Sequence, residues 1–396
     1  LVAWGVSIII VIKLCLMAFT AFWLFKKLFK NTNNYVLTIF SVLWALSGWT
    51  MIHYTNTTWL DIMILLPVFV YSIKLIMDKG KIWPAVIVLS IMLLQSYYIS
   101  YMALLGVVVC SFVATFTLVE KGNRKKFVSN LFFTVIISIL ISFVMFIPSC
   151  LISLGAHRFS QEGLDVFQIS YFTNFFSKLA ILLFYSLPLY FFVKLCTKTK
   201  YDKSKILFFI ISVGIMLLGL IIEPINLMWH TGSYYCYPYR YSYLIVFMIT
   251  LGALYYINNF CEKDSFFVDK DFKLFKIDNT TKYVLFGIFT AVFIVIAILT
   301  VNSAAHPYRT IDFASFFLYF TVFILGILLL LIGIKANNKL WMSILCVVLV
   351  CSGQLLCYNY KFVGESNYIS TYPIQNAIAV DLSNIESPYR VKDKDS

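Results

Sequence analysis

Apolar residues fill this chain in runs of similar length, separated by short polar breaks, from one end to the other. Twelve runs approach the roughly 20 residues that a helix needs to cross a bilayer. They fall at 5–25, 35–54, 61–77, 84–98, 101–119, 127–147, 175–195, 206–222, 239–257, 283–302, 313–334 and 340–358. Only a helix satisfies every backbone hydrogen bond within one segment, so runs such as Leu131–Phe146 and Val284–Thr300 are predicted helical. Two runs are weaker. The run 61–77 carries Asp61 and Lys74, and 84–98 is short, so both fit a tilted or partly re-entrant helix. The expected fold class is all-α: a polytopic membrane helix bundle with about 12 transmembrane helices.

Charge orders the bundle. The chain is 61% apolar with a formal charge of +13, and 22 of its 31 basic residues fall in one set of loops. The other set holds Arg158, Arg240 and Arg309, with Lys178 at a helix end. The positive-inside rule makes the lysine-rich set cytoplasmic. The net charge is then a topology signal, with attraction to anionic lipid as a side effect. It gives no reason to invoke nucleic acid. All four histidines, His53, His157, His230 and His306, fall on the opposite, outer face. The nine cysteines form no CxxC and no metal pattern, and five lie in spans, where cysteine behaves as a small hydrophobe.

The ends suggest a fragment. The sequence opens on Leu1 inside an apolar run, without an initiator Met or signal peptide. After Tyr358 it turns polar. The expected organisation is a transmembrane domain over 1–358 and the start of an extracytoplasmic soluble domain over 359–396, truncated at both ends.

Candidate chemistry gathers on the outer face. His53, Trp59 and Asp61 lie in the first outer loop. Asp61, read as opening a helix, is either an N-terminal cap favoured by the dipole or an acid at a cavity mouth. Gln95, Ser96, Tyr97 and Tyr98 are read either as an aromatic belt or as a polar lining. His157 and Arg158 stand in a long loop that is either solvated or a phosphate contact. Trp229, His230, a run of tyrosines including Tyr239, and Arg240 form the richest loop. Read as lying just inside a helix start, Arg240 needs an anionic partner, for which its fork suits phosphate or carboxylate, or else snorkels to the interface. Lys13 sits mid-span, where a charge costs roughly 2.5–3.5 kcal/mol, and is either functional or paired with a polar group of a neighbouring helix.

The series of motifs resembles the YfhO family of bacterial membrane proteins. The matching stretches are Ala45-Leu46-Ser47-Gly48, Trp59-Leu60-Asp61 with Leu65-Leu66-Pro67, and Tyr97-Tyr98-Ile99-Ser100-Tyr101-Met102. Ile147-Pro148 through Arg158-Phe159-Ser160 follow, then Met228-Trp229-His230 and Tyr237-Pro238-Tyr239-Arg240-Tyr241-Ser242. Pro388-Tyr389-Arg390-Val391 looks like the entry to the family's outer soluble domain. One departure is Ser96, where the family pattern has Asn before the paired tyrosines.

The resemblance implies a GT-C-like fold in the bacterial cytoplasmic membrane. It also implies transfer of a sugar from a polyprenyl-phosphate-linked donor to lipoteichoic acid or a related cell-wall polymer. The match begins at the family's second span, so the outer loop that carries the catalytic acid in GT-C enzymes is expected upstream of Leu1. Asp61 is the candidate within this chain. On this reading Arg240, His230 and Arg158 hold the phosphate. Trp59, His53, Tyr97, Tyr98, Trp229 and Tyr239 meet sugar or acceptor. No divalent metal is implied by these residues. The implied partners are the bilayer, the lipid-linked sugar and the polymer acceptor, with a polyprenyl-phosphate glycosyltransferase and a flippase as further candidates. The alternative function is a transporter or flippase, or a non-catalytic assembly protein, for lipid-linked saccharides.

Overall fold

The computed structural model describes residues 2–155, 186–198, 202–232 and 240–261. Among them the elements are helices: α1 (Val2–Leu28), α2 (Asn34–Ala45), α3 (Gly48–His53), α4 (Thr57–Lys79), α5 (Trp83–Gln95), α6 (Tyr97–Thr117), α7 (Arg124–Gly155), α8 (Ser186–Thr197), α9 (Lys203–Ile221), α10 (Glu223–Trp229) and α11 (Ser242–Phe260). A single 3-10 turn, Lys121–Asn123, leads into α7. Helices α1, α4, α6, α7 and α11 contain stretches long and apolar enough to cross a membrane. The expected spans at 283–302, 313–334 and 340–358, the soluble segment 359–396, and His157, Arg158, Tyr239 and His306 lie outside the described residues.

Three boundaries differ from expectation. The run 35–54 is not one helix: α2 stops at Ala45, and Ser47 in extended backbone starts α3. Ser and Gly at 47 and 48 are poor helix formers, and Ser favours the N-cap. The Ser47 hydroxyl meets that of Thr50 at 3.1 Å. The short α3 is not among the five candidate spans. Second, α4 begins at Thr57, so Asp61 sits in its second turn and does not cap it. Third, Arg240 precedes α11, which starts at Ser242. The run 61–77 belongs to a full 23-residue helix. By contrast, α5 has 13 residues, about 20 Å of helix, and turns at Ser96 straight into α6.

The core is built around α11, most of whose residues are buried. Gly252 lets α8 close on it: a Cβ there would stand 2.6 Å from the Phe192 ring. Helices α5 and α7 meet at a buried hydroxyl, Ser138, which shares its one hydrogen between Thr134 C=O at 2.7 Å and Val86 C=O at 3.2 Å. Much of α1 and α7 exposes large apolar side chains, among them Ile8, Phe19, Phe132 and Val144, as lipid-facing helices do. The lysines mark one end. Lys26 and Lys27 close α1, Lys79 closes α4, Lys194 closes α8, and Lys203 opens α9. His53, Trp59, Tyr98 and His230 lie at the opposite helix ends.

Candidate functional site

Helix α3, the first turns of α4, the α5–α6 turn, the end of α10 and the lead-in to α11 meet at the end of the bundle away from the lysines. Trp49 and His53 are one turn apart on α3 and share a face. Their ring centroids are 4.7 Å apart. Trp59, from α4, closes the cluster at 5.1 Å from His53 and 6.3 Å from Trp49. Tyr243 of α11 sets its ring edge-on to Trp49 at 5.2 Å, and its hydroxyl donates to Ile99 C=O at 3.0 Å. The site is therefore tied to the central helix.

Arg240 lies across this cluster. Its guanidinium carbon is 5.4 Å from the Trp59 ring centroid and 5.5 Å from that of Tyr98. Both distances are within cation–π range, where a contact stabilises by about 0.5–2 kcal/mol depending on solvation. Nη1 also donates to the Tyr98 hydroxyl at 3.2 Å. The backbone is fixed as well, since Trp49 Nε1 donates to Arg240 C=O at 2.7 Å. Tyr97 meets Tyr98 edge-on at 6.3 Å. Trp59, Tyr97, Tyr98 and Arg240 are each partly exposed.

Behind them stands a buried wall. His53 is 2% exposed. Burial, and secondarily the charge of Arg240, lower its pKa to about 3, so the imidazole is neutral at ordinary pH. His230 is fully buried, and its Nδ1 lies 2.8 Å from Asn226 C=O. A carbonyl only accepts, so this hydrogen bond places the proton on Nδ1. The His230 ring lies 5.9 Å from Tyr241 and 6.4 Å from Tyr98. Trp229 is 1% exposed and stacks on Tyr241 at 4.7 Å with an interplanar angle of 11°. His230 and Trp229 are the residues expected at phosphate and at sugar. Both side chains are covered, and both sit behind the groups that face open space. Gly219 of α9 makes room for Trp229 and Tyr241, because a Cβ there would lie 2.6 Å from the Tyr241 hydroxyl and 2.9 Å from Trp229 Cδ1.

Asp61 has a defined partner. Lys13 Nζ lies 2.7 Å from one carboxylate oxygen and 2.8 Å from the other, and donates to Thr57 C=O at 3.1 Å. Helix geometry brings them within reach of one another. Lys13 is 13 residues, ~20 Å, above Lys26 on α1, and Asp61 is 18 residues, ~27 Å, above Lys79 on α4. The flexible lysine stem spans the difference. Of the two readings of Lys13, pairing with a neighbouring helix is the one observed.

The structure thus brings His53, Trp59, Asp61, Tyr97, Tyr98, Trp229, His230 and Arg240 into one region. The sequence assigned no individual role to Trp49, Tyr241, Asn226 or Gly219. The i, i+4 spacing of Trp49 with His53, and of Asn226 with His230, was the available signal. Among the described residues, no three His, Cys, Asp or Glu side chains group closely enough to hold a metal ion.

A family model described as "Bacterial membrane protein YfhO" matches residues 1–395. No curated protein matches, and no solved structure does.

Proposed function

Because the chain belongs to the YfhO family of bacterial membrane proteins, we propose that its aromatic and cationic cluster serves a membrane glycosyltransferase. The enzyme would take a sugar from a polyprenyl-phosphate donor and pass it to a surface polymer such as lipoteichoic acid. The observation that carries this reading is Arg240, set between the Trp59 and Tyr98 rings at the end away from the lysines. A cation held against aromatic faces in a partly dry site is already positioned before substrate arrives. Preorganised charge of that kind stabilises a departing phosphate without reorganisation cost.

Roles follow from exposure. Arg240 clamps the phosphate, and Trp59, Tyr97 and Tyr98 offer flat faces to the sugar. Trp49 positions Arg240 through its backbone, while His53 backs Trp59 as a neutral ring. His230 and Trp229 hold Tyr98 and Tyr241 in place. Asp61, bound to Lys13, fixes the first turns of α4 and with them Trp59. Arg158 and Tyr239 keep their proposed places on phosphate and sugar. Under the positive-inside rule this end faces outward from the cytoplasmic membrane.

The rival reading, a flippase for lipid-linked sugars, needs polar groups through the bilayer depth. Among the described residues, a space toward the lysine end is lined mainly by apolar side chains such as Leu66, Val107 and Phe247, and this favours transfer. Proteoliposomes holding the full-length protein separate the two. Radiolabelled polyprenyl-phosphate sugar supplied with lipoteichoic acid is expected to label the polymer. Translocation of a fluorescent donor without polymer labelling would replace the enzyme by the flippase.

A further inference from the structure

At the opposite end of the bundle lies a slot that the glycosyl-transfer reading does not use. It has a volume of about 410 Å³ and runs between α4, α6, α9 and α11. Leu66, Gly106 and Leu244 line it at one extreme, and Lys74, Lys205 and Tyr255 at the other. Between Gly106 and Leu118 along α6 it extends ~18 Å, and between Leu244 and Tyr255 along α11 ~17 Å. Half of a 30 Å hydrocarbon core is ~15 Å. The slot is therefore as long as one leaflet is thick, and it begins at the lysine-bearing end.

Its chemistry selects its occupant. Between the lysines and the far end the lining is apolar except for Cys110 and Ser111, so few groups there can orient a polar molecule. The mouth is cationic. Lys74 and Lys205 are bound to Asp78 and Asp202, each at 2.6 Å, in partly exposed surface pairs. Asp202 also accepts from the Tyr255 hydroxyl at 3.1 Å. An ammonium has three donors, so each lysine can serve its acid and an incoming phosphate together. The surrounding rim favours an anion. The described residues at this end include 14 Lys and Arg, against Asp78, Glu120 and Asp202.

We propose that this slot holds one acyl chain of an anionic phospholipid from the leaflet at the lysine-bearing end, with the headgroup phosphate on Lys74 and Lys205. Leaflet-matched length, apolar lining and a cationic mouth specify a resident membrane lipid. Its seat is separate from the cluster around Arg240, so it stands or falls independently of glycosyl transfer. The lipid wedges α4, α6, α9 and α11 together where protein side chains leave a gap.

Native mass spectrometry of the full chain, stripped of lipid in detergent and titrated with single lipids, tests this. Phosphatidylglycerol is expected to bind one per chain, at least tenfold more tightly than phosphatidylcholine. Ala114→Phe, which fills the slot, is expected to cut phosphatidylglycerol occupancy at least tenfold. The surface double variant Lys74→Gln/Lys205→Gln is expected to lower phosphatidylglycerol binding to the phosphatidylcholine level, and it decides the matter if Ala114→Phe does not fold. Equal binding of the two lipids by the wild type would overturn the proposal. So would unchanged binding in a folded Ala114→Phe or in the double variant, or a tenfold preference for polyprenyl phosphate over phosphatidylglycerol.

Discussion

Removing one partner of the Lys13–Asp61 pair is expected to cost more than removing both. In Asp61→Leu, Lys13 Nζ keeps only the Thr57 carbonyl among its observed partners. A lysine within a span costs roughly 2.5–3.5 kcal/mol on insertion scales. Breaking a buried pair costs about 3–5 kcal/mol. The two side chains are 19% and 21% exposed, so the loss is smaller, about 2 kcal/mol. Lys13→Met leaves a carboxylate in the same position, with a similar loss. In the double variant neither charge remains, and apolar replacement of a buried pair is often neutral, so stability should return to within ~1 kcal/mol of wild type. The expected coupling energy is therefore about 2 kcal/mol, well above the ~0.5 kcal/mol within which independent sites add. Reversible unfolding in mixed micelles, titrated with dodecyl sulfate, measures it for the full chain. Losses that add to within ~0.5 kcal/mol would refute the reasoning.

Other consequences follow from the same geometry. The folded protein keeps His53 neutral, whereas the unfolded chain takes up a proton below about pH 6.5. Stability should thus fall as pH drops from about 6.5 toward about 3, and His53→Phe should flatten that slope in pH-dependent melts. Gly219→Ala places a methyl against Tyr241 and Trp229, so it should destabilise by about 1–3 kcal/mol and alter tryptophan fluorescence. Trp49→Phe removes the hydrogen bond to Arg240 C=O; a stability loss of about 1 kcal/mol and slower sugar transfer are expected, read from melts and transfer assays on one preparation.

Much of the helical layout was legible because a bilayer demands long apolar runs, and α1, α4, α6, α7 and α11 cover five of them. The break between α2 and α3 was hidden because Ser47 and Gly48 sit inside an otherwise apolar run. The start of α4 was misplaced because Asp61 resembles a cap, when its partner lies 48 residues away on α1. Sidedness gathered His53, Trp59, Tyr98, His230 and Arg240, since loops on one face must lie near one another. Which of them face open space was not legible. Tyr, Trp and His each pair an apolar body with a polar tip, and only packing separates the partly exposed Trp59 from the buried Trp229. Trp49 escaped notice because it reads as one more apolar residue, yet its indole N–H fixes Arg240.

The most direct test of the account is sugar transfer by full-length Arg240→Ala compared with wild type, with thermal melts of both preparations as the control for folding. Loss of one preorganised charge at a departing phosphate predicts a fall of roughly 10²–10³ in the rate constant, with the fold retained. Transfer at the wild-type rate by a folded Arg240→Ala protein would contradict the account, because the phosphate would then be held elsewhere.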